Sequence, residues 1–415
     1  MAGEVQLTCA THRDNVPLLA QTQVAYALIE LMPTQVMANV QMPLNFCFVL
    51  DQSGSMKDND KINQLRVAVK YAIDLLQPND IVSIVAFSSS PKTILSGQPV
   101  QDKNRIKREV DRLSAGGGTQ HAPAIRAGLN EVRRNISPQR INRLLILTDG
   151  QTEHEANCLT EAEAAAREGV QITALGLGVD WNEELLLDVG NRSRGEAGFI
   201  SQPHEIATYF QGIVQAMQGA VIQNAHLTLR LTAGFTPRQV WRVAPLIADL
   251  GTRGVSDRDV QVPLGELVKD QGQAVLVELL LPPRAEERYR IAQADVSYDV
   301  PLMQLSGEHA RADIVIGYTT NPVLASQFNP RVMNIIEKVT AFKMQTRALS
   351  DAQAGDRQNA TKLLRQAATM LLNQGERDLA QTMKLEADRL EQAGSLSEEG
   401  KKTIQFKGGK TVKLG

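Results

Sequence analysis

The chain has 415 residues, of which 43% are hydrophobic, 22% charged and only 4% aromatic, and its formal net charge is -2. At about 150 residues per domain this length predicts roughly three domains, and the apolar content excludes wholesale disorder. So few rings and so little net charge disfavour a base-stacking or bulk polyanion-binding protein. Cys9, Cys47 and Cys158 form no CxxC pair, which argues against a disulfide framework and against structural zinc. The N-terminal stretch MAGEVQLTCATHRDN has no basic segment leading into an apolar one, and no window approaches 18 consecutive apolar residues. The expectation is a reducing, cytoplasmic compartment.

Residues 1–43 carry two strand-like runs, EVQLTCAT and QVAYALIEL, that cannot close a core alone; they are predicted to complete a sandwich built later in the chain. From 44 to 219 short apolar runs alternate with amphipathic stretches: LNFCFVL, a helix over 61–76, IVSIVAF, the edge-like PKTILSG, helices over 103–113 and 122–135, RLLILT, a helix over 159–168, QITALGL, and helices over 182–190 and 204–218. The runs lack polar alternation, as strands covered by helices on both faces do, so this segment reads as a doubly wound α/β domain. Within its first helix Ile62, Leu65, Val69, Ile73 and Leu76 form one apolar stripe for the sheet. Residues 220–320 change to strands such as AHLTLRL, QAVLVELLL and RIAQADVSYDV between Gly, Pro, Asp and Asn turns, an antiparallel β-sandwich pattern. The α/β domain is then an insertion into that sandwich. Residues 321–394 turn helical, with breaks at Asp351 to Asp356 and Asn373 to Gly375. Residues 395–415 read as a basic tail with a hairpin around Gly408 and Gly409; from Lys401 onward five lysines stand without an acid, so the net charge of -2 conceals +5 there on a body of -7.

The chemistry lies on three loops of the α/β segment. Strand NFCFVL ends at Asp51-Gln52-Ser53-Gly54-Ser55, Gly116-Gly117-Gly118-Thr119 precedes a helix, and Thr148-Asp149-Gly150 follows RLLILT. All belong to the carboxyl edge of the sheet, where open α/β folds bind ligands. Asp51, Ser53, Ser55, Thr119 and Asp149 supply two carboxylates and three hydroxyls, hard oxygen donors for a hard divalent cation such as Mg2+, with Mn2+ or Ca2+ as alternatives. With only two anionic donors, such an ion keeps an exchangeable position. Any one loop alone would also suit a turn or helix cap.

Asp51, Ser53 and Ser55 as DxSxS, Thr119 in GGGT and Asp149 in LTDG resemble, in order and separation, the metal-ion-dependent adhesion site of von Willebrand factor A domains. The whole chain is similar, more loosely, to bacterial proteins related to inter-alpha-trypsin-inhibitor heavy chains. The resemblance implies that Asp51 holds metal through water, that Ser53, Ser55 and Thr119 bind it directly or through water, and that Asp149 stands behind the ligands. It implies a non-enzymatic interaction module or scaffold that captures an Asp or Glu of a protein partner on its metal. Gln120, His121 and Gln151 are the expected rim contacts.

Other functions fit less well. An aspartate-nucleophile phosphatase needs a second acid where Ser53 stands, and no basic residue on these loops clamps a phosphoryl group. Glycines 116–118 lack the lysine of a P-loop. A zinc site or Cys/His pair from His121, His154 and Cys158, with Glu153 and Glu155 between, lacks a third ligand at metal spacing, and 150–158 reads as loop. An adaptor subunit of an ATP-driven remodelling machine is the alternative binding role. The tail, with Thr403 and Thr411 among lysines, is expected to be either a solvated terminus or a docking strand for an ATPase, a kinase or a phosphothreonine reader. Neither nucleic acid nor a membrane span is expected.

Overall fold

The computed structural model describes residues 3–152, 155–252 and 258–410. Two compact units are present, one of Met1–Val40 with Val221–Gly415 and one of Gln41–Ala220. Strands β1 (Val5–Thr11), β2 (Asn15–Pro17) and β3 (Gln23–Pro33) open the first. The second runs β4 (Leu44–Asp51), α1 (Lys61–Leu75), β5 (Ile81–Phe87), β6 (Pro91–Pro99), α2 (Lys103–Val110), α3 (His121–Arg133), β7 (Ile141–Thr148), α4 (Glu155–Arg167), β8 (Gln171–Leu177), α5 (Glu183–Arg192), β9 (Glu196–Ile200) and α6 (Ile206–Gly219).

The sheet of this second unit has the order β6-β5-β4-β7-β8-β9. All neighbours are parallel except β5 and β6, which pair antiparallel. Every residue of β4 and β5 is buried, because helices cover both faces. Alternation along β4 sends Phe48 onto Phe210 of α6, with ring centroids 5.7 Å apart. Its other face meets α3 at Gly128, where a Cβ would lie 2.6 Å from Val49 Cγ2 and 2.7 Å from Leu144 Cδ1. Only glycine lets α3 sit this close. The chain leaves β4 toward β5 and β7 toward β8, so the winding reverses between β4 and β7 and opens a crevice at their carboxyl ends.

The first unit resumes with β10 (Ala220–Leu231), β11 (Thr236–Ala244), β12 (Ala248–Asp249), β13 (Asp259–Val268), β14 (Gln273–Leu281), β15 (Arg288–Val300) and β16 (Leu305–Thr319). Two five-stranded sheets, β1-β3-β14-β11-β12 and β13-β10-β15-β16-β2, enclose a shared apolar core. The N-terminal strands do complete this sandwich: β3 pairs antiparallel with β14 from Gln23 opposite Leu281 to Leu31 opposite Gln273. The fold is thus an α/β domain inserted into a sandwich that is antiparallel apart from the short parallel pairing of β2 with β16, with a helical segment after it. That segment comprises α7 (Pro322–Ala325), α8 (Pro330–Gln353), α9 (Arg357–Asn373), α10 (Arg377–Ala393) and α11 (Glu398–Gly408). Val332, Ile335 and Val339 of α8 pack with Leu28, Trp241 and Leu276 on the outer face of the β3/β14 sheet. That covering explains why QVAYALIEL and QAVLVELLL are apolar on both faces although their sheet is antiparallel.

The expectation of a basic tail with a hairpin at Gly408 and Gly409 is corrected by α11. Its N-cap Ser397 accepts a hydrogen bond from the Gly400 N–H at 2.9 Å, and Glu398 and Glu399 complement the helix dipole in the first turn. Gly400 lies against the Glu386 side chain of α10 and Gly408 against the Gln345 side chain of α8, so a Cβ at either place would have to displace that side chain. Lys402, Ile404 and Phe406 are buried. A helix packed against two neighbours buries more than one stripe, so every second side chain is inside and the segment imitates a strand. The Ile247 N–H donates to the Gly409 carbonyl at 2.8 Å and fastens the helix end. A β-docking role for 400–408 is therefore withdrawn; Thr411 lies outside the described residues.

Candidate metal centre

The site is built where β4 and β7 end side by side. Asp51, the last residue of β4, has 0% exposure. Its Oδ1 accepts the Ser53 N–H at 2.8 Å and its Oδ2 accepts the Thr148 hydroxyl at 2.7 Å. Burial raises its pKa above the usual carboxylate range, the hydrogen bonds from Thr148 and Ser53 offset part of that rise, and the neighbouring Asp149 adds to it. A buried carboxylate in this condition gains from any cation that reaches it.

Asp149 collects the serines. Ser55 Oγ donates to its Oδ1 at 2.7 Å, Ser53 Oγ lies 3.5 Å from the same oxygen, and the two hydroxyl oxygens are 3.1 Å apart. The glycine loop is stitched to the DxSxS loop by Gly54 N–H to the Gly117 carbonyl at 3.0 Å and Gly116 N–H to the Gln52 carbonyl at 2.7 Å. Gly117 has φ 89°, and a Cβ there would crowd Ser88 and Ser89 at 3.1 Å, so glycine is required. Ser89 also accepts the Gly118 N–H at 2.8 Å. Thr119 is half-buried beside the third loop, its Oγ1 3.5 Å from where a Gly150 Cβ would stand. The structure thus joins Asp51, Ser53, Ser55 and Asp149 in one hydrogen-bonded group and sets Thr119 at its margin.

Of the rim residues, Gln120 and Gln151 are exposed, but His121 is not: it is 2% exposed, with Nε2 2.8 Å from Thr148 Oγ1. Since Thr148 gives its proton to Asp51, His121 must donate from Nε2, which leaves Nδ1 as a buried acceptor without a partner. Burial holds its pKa down to about 4, so the ring is neutral. A first helical residue whose side chain points at the sheet edge becomes part of the support, and the expected rim role for His121 is corrected accordingly. Glu153 and His154 lie outside the described residues. Cys158 is buried in α4, which begins at Glu155 where a loop was expected, and its thiol is pushed up to about 12 by burial. Such a thiol is neither ligand nor nucleophile. Among the described residues no group of three or more His, Cys, Asp or Glu could hold a metal, so any ion here depends on hydroxyl oxygens.

Lys61 escaped the sequence reading. It opens α1, after Asn59 and Asp60 at φ 51° and 60°, and its Nζ lies 2.6 Å from Asp149 Oδ2, with side-chain exposures of 11% and 0%. The expectation of no basic residue at these loops is thereby corrected. A lysine in a first helical turn opposes the helix dipole, and that disagreement was the available signal of a carboxylate partner.

The donor chemistry suits a hard cation. A serine hydroxyl that gives its proton to Asp149 keeps its oxygen lone pairs for a metal, and Asp51 supplies negative charge beside it. The profile of the von Willebrand factor type A domain matches residues 45–211. Residues 45–211 belong to the von Willebrand factor type A family. A second profile, the Sll0103-like C-terminal alpha-helical domain, matches 330–413 and runs through α11. The chain is 28% identical to the uncharacterized protein sll0103 of Synechocystis over 375 residues, 88% of this chain and 87% of that one. The A domain region is also similar to pig inter-alpha-trypsin inhibitor heavy chain H2, at 24% identity over 44% of this chain but only 21% of that protein. A von Willebrand factor type A structure from Catenulispora acidiphila superposes with a TM-score of 0.78 at 18% identity, covering 98% of this chain and 97% of its own, which shows the shared fold. Among the described residues no helix is long and apolar enough to cross a membrane.

Proposed function

We propose that the A domain is a non-enzymatic recognition module that holds a divalent cation, Mg2+ with Mn2+ or Ca2+ as substitutes, and captures an Asp or Glu side chain of a protein partner. The observation that carries this reading is the Asp149 hub, which accepts a hydrogen bond from the Ser55 hydroxyl at 2.7 Å, with the Ser53 hydroxyl 3.5 Å away, and so leaves hydroxyl lone pairs available to a cation. Ser53, Ser55 and Thr119 would bind the ion, Asp51 would hold it through water, and Asp149 would keep the serines oriented. A bound hard cation supplies a positive position that exchanges water for a carboxylate oxygen. Around it the chain would do the rest: Thr148, backed by His121, holds the Asp51 carboxylate, the Gly116–Gly118 loop leads into Thr119, and the exposed Gln120 and Gln151 would touch the partner.

The test is capture of a partner on the immobilised full chain with Mg2+ or with chelator, for wild type and Asp51→Ala, beside calorimetric titration of Mg2+ into both. The reading expects a metal heat in wild type only, and a bound partner that chelator elutes. Capture indifferent to chelator and to Asp51→Ala would refute it.

A further inference from the structure

Two carboxylates and one ammonium meet at the site. Asp51 is fully buried, Asp149 keeps one oxygen for the serines, and its other oxygen is held by Lys61 at 2.6 Å. Asp149 has no exposed side-chain surface and Lys61 little, so their charges act through a medium that screens far less than water. Both Asp149 oxygens are thus in use at once: one sets the hydroxyls, and the other carries a positive charge into the group.

We infer that Lys61 is a built-in counter-cation of the adhesion site, which keeps the divalent ion weakly held until a carboxylate from the partner restores the charge balance. This rests on the metal-bridge reading proposed above and adds to it a residue that regulates the same site. Asp51 and Asp149 carry -2, and Lys61 reduces this to -1, so a divalent ion among these three groups leaves +1 where two bare carboxylates would leave zero. The excess has two consequences. Free ion binds less tightly, because Lys61 repels it. An incoming Asp or Glu binds more tightly, because it neutralises a site that is otherwise positive. Metal and acidic partner therefore favour each other's binding, and the favour is reciprocal. Lys61 also orients Asp149, and a purely structural role would rest on that orientation alone.

The two roles predict opposite signs. Calorimetric titration of Mn2+ into the full chain compares wild type with Lys61→Met, Lys61→Gln and Lys61→Arg. Removing one positive charge a few ångströms away is expected to tighten Mn2+ binding about tenfold or more in the two neutral variants. Lys61→Gln can still donate to Asp149 and controls for lost orientation, while the charged Lys61→Arg should bind Mn2+ more weakly than either. With acetate as the carboxylate probe, the Mn2+ affinity of wild type should rise more than that of Lys61→Met. Wild type that binds no Mn2+ beside neutral variants that do would support Lys61 as the residue holding the ion out. Neutral variants that bind no tighter than a wild type that does bind would overturn this inference and leave the metal reading standing. Absence of Mn2+ binding in all four proteins would overturn both.

Discussion

The Asp51→Asn variant separates two effects that the buried carboxylate combines. Its Oδ1 and Oδ2 accept from Ser53 N–H at 2.8 Å and Thr148 Oγ1 at 2.7 Å, and burial raises its pKa despite them, so the ionised group is held at a cost. Asparagine keeps the volume and the Ser53 hydrogen bond while removing the charge. Against the loss or reversal of one hydrogen bond, about 1 kcal/mol, stands relief of a buried anion. In chelator the variant should therefore lie within about 1 kcal/mol of wild type, or above it. Added Mg2+ reverses the order. At about 100 times the dissociation constant, a ligand specific to the folded state contributes about 2.7 kcal/mol. For a unit the size of Gln41–Ala220, at about 2–4 °C per kcal/mol, that is a rise of about 5–10 °C in wild type and none in the variant. Scanning calorimetry in chelator and in Mg2+ reads both. An equal Mg2+ shift in the two proteins would refute the placement of Asp51 at the metal, and a variant well below wild type in chelator would refute the claim that burial outweighs its hydrogen bonds.

Gly128→Ala should force α3 off β4, since the new methyl would stand 2.6 Å from Val49 Cγ2; overpacking of about 1–3 kcal/mol in denaturant melts should accompany weaker metal binding, because α3 follows directly on Thr119 and Gln120. Unchanged metal affinity would show that the glycine loop is positioned independently of α3. Gly408→Ala and Gly400→Ala must displace the Gln345 and Glu386 side chains, and each should loosen α11, read as faster hydrogen exchange over 398–408; intact protection would show that these side chains yield without cost to the helix. His121 is held to about 4 against 6.5 in the unfolded chain, and His12 is lowered to about 4 by burial and the adjacent Arg13 guanidinium. Between those values the unfolded chain binds more protons, so this stability is complete above about pH 6.5 and is lost as pH falls toward 4, by about 3 kcal/mol for His121 alone. Denaturant melts across that window should show a shallower pH dependence for His121→Leu than for wild type, and parallel curves would place a charged imidazole in the native protein.

Local pattern was enough for the strand and helix series of the A domain, because a parallel sheet between helix layers demands unbroken apolar runs. The same pattern, with Gly and Ser punctuation, marked the three oxygen-rich loops, since strand ends in this fold carry ligand chemistry on short turns. The sandwich was legible as strands set between Gly, Pro, Asp and Asn turns, and the need to pair EVQLTCAT and QVAYALIEL followed from their having no core of their own. What local pattern could not express was occupancy of a second face. The residues of α11 alternate like a strand because the helix packs against both α8 and α10, and His121, at a helix start that favours polar residues, is turned inward by the Thr148 hydroxyl.

Residue type and order by themselves picked out the candidate oxygens: Asp51, Ser53, Ser55 and Asp149 stand at or just after strand ends, and Thr119 stands just before a helix. Only the tertiary structure decided the electrostatics of that group. Lys61 and Asp149 are 88 residues apart along the chain, and their 2.6 Å contact exists because β4 and β7 pair directly while α1 returns over their ends. Charge balance at a site is a sum over everything that folds around it, and a linear pattern, however complete, names candidate ligands without naming their neighbours.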